Sequence, residues 1–281
     1  MTARVAAPAA PAPTAGTRGA LSDGLVVAWR NPKRIPRIPE LAIFAIIQSI
    51  MFVLLFGFVF GGAIPIPGNP DPNAYREYLV PGIFAQNIVF GLVTTAIGMC
   101  DDINKGIIDR FRSLPMARSA VLTGRTSADV VYNGGILIVL ILSGLAVGWT
   151  VHTGFGALLA GIALLLLFSF AMAWIGVWLG LSVSTPEAAQ QVAFVVVFPV
   201  TFVSNVFIPV QTLPTWLQPF AEWNPTSTLT LSLREMWGNP APPSGTSLAS
   251  TEPLLVTLIW IAVVLAVFIP VGIRRYRSMS R

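Results

Sequence analysis

Six long apolar runs that lack charge are the feature that most constrains this chain. Each reaches or approaches the roughly 20 residues that cross the hydrocarbon core of a bilayer as a helix. The runs are residues 41–60, 79–99, 130–151, 156–183, 191–208 and 254–273. Only 10% of the 281 residues are charged, whereas about a quarter are charged in a typical soluble domain. The sequence therefore predicts an all-α integral membrane protein with six transmembrane helices.

The basic residues lie between these runs in an unequal pattern that predicts orientation. Six precede the first run, five lie between the second and third, and four follow the sixth, so these three places hold 15 of the 17 lysines and arginines. Loops on the cytoplasmic side of a membrane carry the excess of Lys and Arg. We therefore expect both termini in the cytoplasm of a multi-pass plasma-membrane protein. Because the basic residues form no single stripe, we expect no nucleic acid partner.

The chain before the first run divides into two parts. Residues 1–19 are mostly Ala, Pro, Thr and Gly, a composition that cannot bury a core, and they predict a disordered cytoplasmic tail. Further on, Leu25 and Trp29 share one helical face and Arg30 follows them. This pattern predicts a short amphipathic interfacial helix in contact with membrane lipid, followed by a basic turn into the bilayer. Residues 20–281 are then one membrane domain.

The fifth run is the least regular and leaves two interpretations open. It contains Pro199 near its middle, and three more prolines follow it. A second apolar piece, residues 216–223, comes at once and is too short to cross the bilayer. It is either an interfacial helix rich in Trp or part of a broken, re-entrant external hairpin. The second interpretation requires cover by protein or water, because non-helical backbone is otherwise not tolerated at membrane depth.

The interior of all six runs lacks charged residues, and this argues against several mechanisms. Ion-coupled transporters usually keep a carboxylate at membrane depth. An enzyme would need convergent acid, base or thiol groups, and the single His152 and single Cys100 supply no such cluster. We expect no catalytic residue, no metal site and no cofactor on this chain. Neither lysine follows the Gly-x-x-x-x-Gly-Lys-Ser/Thr pattern that holds nucleotide phosphates.

A charged amphipathic segment after the second run is the strongest candidate for contact with another protein. Ile103, Ile107, Phe111 and Leu114 recur at helical spacing and form one face. Opposite charges on the other face favour a helix, and a proline ends it. Such a stripe fits a groove of a partner; the alternative is a solvated helix on lipid headgroups. The predicted interface consists of Asp101, Asp102, Ile103, Lys105, Gly106, Ile107, Asp109, Arg110, Phe111, Arg112, Leu114 and Pro115.

Uncharged polar side chains at or near membrane depth form a second group of candidates. They indicate either a translocation path or interhelical hydrogen bonds, and the pattern favours neither. The candidates for the path are Gln86, Asn87, Ser204 and Asn205.

Several short strings occur in one order along the chain. They are Phe-Gly-Gly-Ala-Ile at 60–64, Tyr-Leu-Val-Pro-Gly-Ile at 78–83, the segment 101–115, Thr-Pro-Glu-Ala-Ala-Gln-Gln-Val at 185–192, and Phe-Val-Ser-Asn-Val-Phe at 202–207 with Leu-Pro-Thr-Trp-Leu at 213–217. In this order, from about residue 29 to the end, the chain resembles type-2 ABC exporter permeases. It is most similar to the daunorubicin/doxorubicin-resistance permease branch of actinobacteria.

The resemblance implies an export permease of a bacterial plasma membrane. Two permease subunits would pair, as a homodimer or with a sister permease, and each would bind a cytoplasmic ATPase subunit that carries ATP and Mg. The segment 101–115 would be the coupling helix that fits this ATPase. The resemblance also favours the re-entrant hairpin and a hydrophobic or amphipathic cargo, such as a drug, an antibiotic or a lipid-like metabolite. A secondary transporter or channel, a membrane enzyme and a passive scaffold are the rival functions.

Overall fold

The computed structural model describes residues 47–48, 50–52, 54–59, 66, 74–106, 118–242 and 245–278 of the chain. This part of the protein is helical and contains no β-strand. The predicted disordered tail, the predicted interfacial helix with Leu25, Trp29 and Arg30, and most of the first apolar run lie outside the described residues.

The described residues form helices of very different length. The α-helices are α1 (Ala74–Asn104), α2 (Arg118–Ala146), α3 (Phe155–Gly180), α4 (Pro186–Phe202), α5 (Gln218–Trp223), α6 (Pro225–Trp237), α7 (Leu248–Thr251) and α8 (Pro253–Ser278), with a π-helical turn at Leu55–Val59 and a 3-10 turn at Val210–Thr212. By length and composition, α1, α2 from Leu122 onward, α3 and α8 can cross a membrane. The apolar helix α4 has only 17 residues.

The helices follow the apolar runs but do not begin and end with them. α1 and α8 extend beyond their runs at both ends, and α2 begins well before residue 130. α4 begins at Pro186, in the first helical position that proline favours. The Thr185 side chain caps this start by accepting a hydrogen bond from the Ala188 amide. The fifth run therefore forms a helix that starts and ends earlier than predicted.

α1 is the central helix of the described bundle. α3 runs along much of its length, and α2, α4 and α6 also pack on it. Gly176 and Gly180, one turn apart on α3, lie directly against the α1 backbone. A Cβ at these positions would lie 2.7 Å from Leu92 O and 2.5 Å from Ala96 O, respectively. Small residues at this spacing let two membrane helices approach backbone to backbone.

The bundle has two ends that differ in charge. One, which we call the basic end, holds the last turn of α1, the first turns of α2, the α3–α4 turn and the arginines that end α8. There Asn104 Nδ2 donates to Ser184 O at 3.2 Å, and Arg275 Nε lies 3.4 Å from Leu181 O. The opposite end holds the first turn of α1, the α2–α3 loop and α7.

The helix α6 lies inside the protein although it is short and rich in Ser and Thr. Its residues 226–234 are all buried. At its start, Asn224 Nδ2 donates to Val200 O and Val203 O at 2.7 and 2.6 Å, beside the end of α4. At its end, the Trp237 indole donates to Ala157 O at 3.0 Å, in the first turn of α3. The start of α6 therefore contacts the C-terminal end of α4, and the end of α6 contacts the N-terminal end of α3.

Candidate functional site

The first residues of the predicted interface lie at the basic end, within α1. Asp101, Asp102 and Ile103 belong to its last turn, and the helix ends at Asn104. The Gly106 amide donates to Ile103 O at 2.9 Å, and Gly106 has a φ of 64°, in the left-handed region. A left-handed glycine is a common end of a helix. The prediction of one unbroken helix from 101 to 115 is therefore wrong at Gly106.

The rest of the predicted interface belongs to the segment 107–117, before α2. Ile107, Asp109, Arg110, Phe111, Arg112, Leu114 and Pro115 lie outside the described residues. Their helix and their contact with an ATPase stay predictions. The segment 107–117 connects the left-handed turn at Gly106 to the first residue of α2.

Two charged residues in the last turn of α1 and just beyond it point away from the bundle. Lys105 Nζ lies 2.6 Å from Asp101 Oδ2, and their side chains are 62% and 39% exposed. An ion pair this exposed contributes little to stability because water and salt screen it. Both residues are accessible to a partner at the basic end.

Asp102 faces the opposite way, into the bundle. Its carboxylate accepts a hydrogen bond from Nη1 of Arg125 on α2. Arg125 Nε also lies 3.4 Å from the carboxylate of Asp129, one turn further along α2. The three side chains are 15%, 18% and 18% exposed, respectively. Asp102 is therefore held by the protein itself at the point where the predicted interface begins.

This cluster corrects an expectation from the sequence. No charged residue lies inside the run 130–151, but the helix that forms there is longer. Arg125 and Asp129 fall within Leu122–Ala146, the part of α2 that is apolar enough to cross a membrane. Their mutual pairing, together with Asp102, offsets the cost of charge in such a helix. The i, i+4 spacing of Arg125 and Asp129 was the signal in the sequence.

Two of the four candidates for the translocation path are part of a packed junction after α4. The Asn205 amide donates to Ser227 Oγ at 3.0 Å, and its carbonyl accepts from Tyr78 Oη at 2.7 Å. The Ser204 hydroxyl donates to Thr201 O and accepts from the Val206 amide. Both residues are buried. Their observed contacts attach the turn after α4 to α1 and α6.

The other two candidates lie side by side on α1. Gln86 is 5% exposed and Asn87 is partly buried. Gln86 is one turn from Gly82, where the backbone of α1 lies against Val206. A Cβ added at Gly82 would lie 2.6 Å from Val206 O. A role in cargo passage for any of the four residues stays a prediction.

Arg234 on α6 is a functional candidate that the sequence interpretation missed. It lies between the fifth and sixth apolar runs, in a stretch that the predicted topology places outside the cell, yet it is 1% exposed. Its Nε donates to Tyr78 O at 2.8 Å, and its Nη2 donates to Asn205 O and Val206 O at 3.0 and 3.2 Å. The guanidinium carbon lies 3.4 Å from the centroid of the Tyr78 ring. One side chain thus joins α6, α1 and the turn after α4.

We looked in the described residues for a metal site and for a disulfide. Within this part of the chain, no group of three or more His, Cys, Asp or Glu residues could hold a metal ion. Cys100 is buried and forms no disulfide. The arrangement is that of a membrane bundle with an ionic cluster at one end and a buried arginine at the other.

Comparison with known proteins decides what kind of bundle this is. A family model described as ABC-2 type transporter matches residues 24–236. The chain belongs to the ABC-2 type transporter family. It is 30% identical over 261 residues to the daunorubicin resistance ABC transporter permease protein DrrB1 of Streptomyces coeruleorubidus, which covers 93% of this chain and 88% of that protein. The resemblance seen in the ordered strings is therefore confirmed.

More distant relatives of this ABC-2 permease agree with the family assignment. It is 24% identical over 235 residues to the probable doxorubicin resistance ABC transporter permease protein DrrC of Mycobacterium tuberculosis, covering 82% of this chain and 80% of that protein. It is 29% identical over 167 residues to the probable multidrug ABC transporter permease YbhR of Escherichia coli, covering 56% and 42%. ABC-2 permeases are the membrane subunits of ABC transporters and work with a cytoplasmic ATPase subunit. The chain is accordingly a multi-pass protein of a bacterial membrane and not itself the enzyme of the complex.

Proposed function

We propose that this permease is the membrane subunit of an ATP-driven exporter of hydrophobic or amphipathic compounds. A drug, an antibiotic or a lipid-like metabolite would be the cargo. A separate ATPase subunit would bind ATP and Mg and supply the energy. The observation that carries the proposal is the 30% identity, over 93% of the chain, to a permease named for daunorubicin resistance.

We further propose six membrane spans with both termini in the cytoplasm, so that the basic end faces the cytoplasm. The four helices long and apolar enough to cross a membrane would supply four of the spans, the shorter α4 would supply a fifth, and the run 41–60 would supply the other. The arginines at the end of α8 and Lys105 at the end of α1 support this orientation, since cytoplasmic loops are rich in such residues.

The hairpin made by α5 and α6 supports the re-entrant interpretation over the interfacial one. Its apex lies at Trp223, whose carbonyl accepts a hydrogen bond from the Trp260 indole at 3.0 Å. Trp260 is seven residues into α8, which begins at Pro253, so the apex is roughly 10 Å along that helix. α6 then returns to the opposite end at Trp237. We propose that the hairpin enters the membrane from outside and leaves on the same side.

Apolar side chains on the outer face of α4 support contact with lipid or with a second permease subunit. Val195, Phe198 and Phe202 are 74%, 46% and 48% exposed within the single chain. Exposed apolar surface of this kind is favourable in a bilayer or in an interface between membrane helices, and unfavourable in water. We propose that a second permease completes the transporter.

An ion-coupled transporter is the second candidate, and Asp129 is the observation that favours it. A carboxylate in an apolar helix is where such a transporter holds its ion. The Asp129 carboxylate is already bound by Arg125 and lies beside the Thr95 side chain, however. We therefore favour ATP as the energy source. Export from vesicles that stops when the proton and sodium gradients are collapsed, with ATP still present, would favour the second candidate.

Charging the predicted docking face should separate the permease from its ATPase. Phe111→Asp or Leu114→Asp places a carboxylate in the apolar stripe and should abolish co-purification of a P-loop ATPase from detergent-solubilised native membranes. Membrane insertion should be unaffected. Phe155→Asp is a matched control, because Phe155 is 73% exposed in the first turn of α3, at the opposite end. Equal recovery of the ATPase with Phe111→Asp and Phe155→Asp would contradict the docking proposal.

The proposed topology predicts which loops can be labelled from outside the cell. In a Cys100→Ala background, Thr246→Cys should react with a membrane-impermeant thiol reagent in intact cells, because Thr246 is exposed just before α7. Ser182→Cys, exposed in the α3–α4 turn at the basic end, should react only after lysis. The reverse pattern would overturn the orientation.

A further inference from the structure

The ionic cluster at the basic end is shaped by both helices that flank the segment 107–117. Thr95, Gly98 and Asp102 follow one another on one face of α1. Gly98 O accepts from Arg125 Nη1 at 3.5 Å, and a Cβ at Gly98 would overlap Arg125 Nη2. The Thr95 side chain lies beside the Asp129 carboxylate. α1 therefore offers a carboxylate, a space for the guanidinium and a hydroxyl over about two helical turns.

This arrangement attaches the last turn of α1 to the first turns of α2, close to the left-handed turn at Gly106. The chain leaves α1 through the left-handed Gly106 and enters α2 at Arg118, two turns before Arg125. Without a contact between the helices, a displacement of the segment 107–117 would be absorbed by bending at its ends. The cluster opposes such bending, because separating Arg125 from its carboxylates would leave mostly buried charges unpaired.

We propose that Arg125 is a positioning residue for energy coupling. Bound to Asp102 and Asp129, it makes the last turn of α1 and the first turns of α2 move as one unit when the ATPase displaces the segment 107–117. The inference rests on the proposed function, because it assigns a route by which movement at the basic end reaches the membrane helices. It differs from the docking proposal, since Arg125 would transmit movement without touching the ATPase.

The test compares transport with ATP hydrolysis in the complete complex. The full-length permease and its co-purified ATPase are placed in inside-out vesicles, with daunorubicin as the transported probe. Arg125→Gln should leave the ATPase bound and hydrolysing ATP, while daunorubicin transported per ATP falls about tenfold, within the range of typical coupling energies. Asp102→Asn should shift the ratio in the same direction by less, because Arg125 keeps Asp129. Arg125→Lys should keep part of the daunorubicin transported per ATP, because an ammonium keeps the positive charge and can still contact one of the two carboxylates.

A second measurement needs no knowledge of the cargo. In a Cys100→Ala background, Gln211→Cys reports on the opposite end of the bundle, where Gln211 is exposed in the 3-10 turn. Its rate of reaction with a thiol reagent should change when vanadate and ATP trap the ATPase in the wild-type complex, and should not change with Arg125→Gln. Glu77→Gln is the control for removing a carboxylate; Glu77 contacts His152 at the opposite end, and this variant should couple normally.

The outcomes separate the inference from the proposed function. If neither the wild-type transport nor the Gln211→Cys reaction responds to ATP, the proposed function fails and the inference fails with it. If the wild type responds to ATP and the folded Arg125→Gln and Asp102→Asn variants respond as strongly as the wild type, only the inference is overturned. Loss of coupling in these variants, with partial rescue by Arg125→Lys and none of the effect in Glu77→Gln, supports it.

Discussion

Replacing Arg234 with methionine should lower the free energy of unfolding of the permease by more than the removal of any other single charged side chain. The guanidinium satisfies the carbonyls of Tyr78, Asn205 and Val206 and lies over the Tyr78 ring. Methionine has a similar length but donates no hydrogen bond, so the Tyr78 and Val206 carbonyls lose this donor, whereas the Asn205 carbonyl keeps the Tyr78 hydroxyl. Each such loss costs about 1–3 kcal/mol, and we expect a decrease of about 3 kcal/mol or more in the free energy of unfolding.

The measurement is thermal unfolding of the purified permease in detergent. Its readout is the fraction of protein that remains monodisperse at each temperature. Arg274→Met is the matched control, because Arg274 is exposed near the end of α8, and we expect a change within about 0.5 kcal/mol. Arg234→Lys should be intermediate, since an ammonium keeps the charge but cannot reach three carbonyls with the planar geometry of a guanidinium. If Arg234→Met and Arg274→Met unfold at the same temperature, the contacts of Arg234 contribute nothing measurable to the fold.

Arg234 also shows why the opposite end of the molecule was hard to predict. In the sequence it is a lone basic residue between two apolar runs, and loop charge is all that the orientation rule uses. The acceptors of its hydrogen bonds are backbone carbonyls of residues 78, 205 and 206, which are distant in sequence, and a backbone carbonyl leaves no signal in the sequence. Two of the polar candidates for the translocation path, Ser204 and Asn205, are buried. Their contacts within the chain became evident only once α6 was placed beside them.

The membrane helices were more predictable than their ends. A helix in lipid needs a long uncharged stretch, so the runs 79–99, 130–151, 156–183 and 254–273 each coincide with a long helix. The same rule cannot locate the start of a membrane helix that contains oppositely charged residues, because it takes each charged residue as the end of the apolar run. α2 begins at Arg118 and includes Arg125 and Asp129, which pair with each other, while Arg125 also pairs with Asp102.

The predicted coupling segment differs from its predicted local structure in the part that the structure describes, because the helix ends at Asn104 and Gly106 is left-handed. Helical spacing from Ile103 to Leu114 was taken as one helix, but spacing alone is blind to a backbone break. Gly106 was the available signal, since a glycine shortly after the last residue of a helix commonly marks its end. Asp101 and Lys105 lie at the surface, and Asp102 lies against α2. Three neighbouring residues of one predicted interface therefore have two different environments.

The closest approach of α1 and α3 leads to the second large effect. Gly176→Ala adds a methyl group that would lie 2.7 Å from Leu92 O and 2.9 Å from Thr95 Cβ. These atoms belong to the backbone and Cβ of a central helix and cannot rotate away, so α1 and α3 must separate. Overpacking of this kind costs about 1–3 kcal/mol, and Gly180→Ala, against Ala96 O, should add a similar loss.

The same substitution elsewhere in α3 should have the opposite sign, which makes the test specific to packing. Alanine is favoured over glycine in a helix by up to about 1 kcal/mol, and nothing lies within 4 Å of a Cβ at Gly156. Gly156→Ala should therefore be neutral or slightly stabilising in the same thermal assay in which Gly176→Ala lowers the unfolding temperature. If both variants were stabilising, the two helices would have room between them, and their contact would not depend on glycine. A loss confined to Gly176→Ala and Gly180→Ala would show that the α1 backbone, to which the ionic cluster and Arg234 are both attached, is held in place by these two residues of α3.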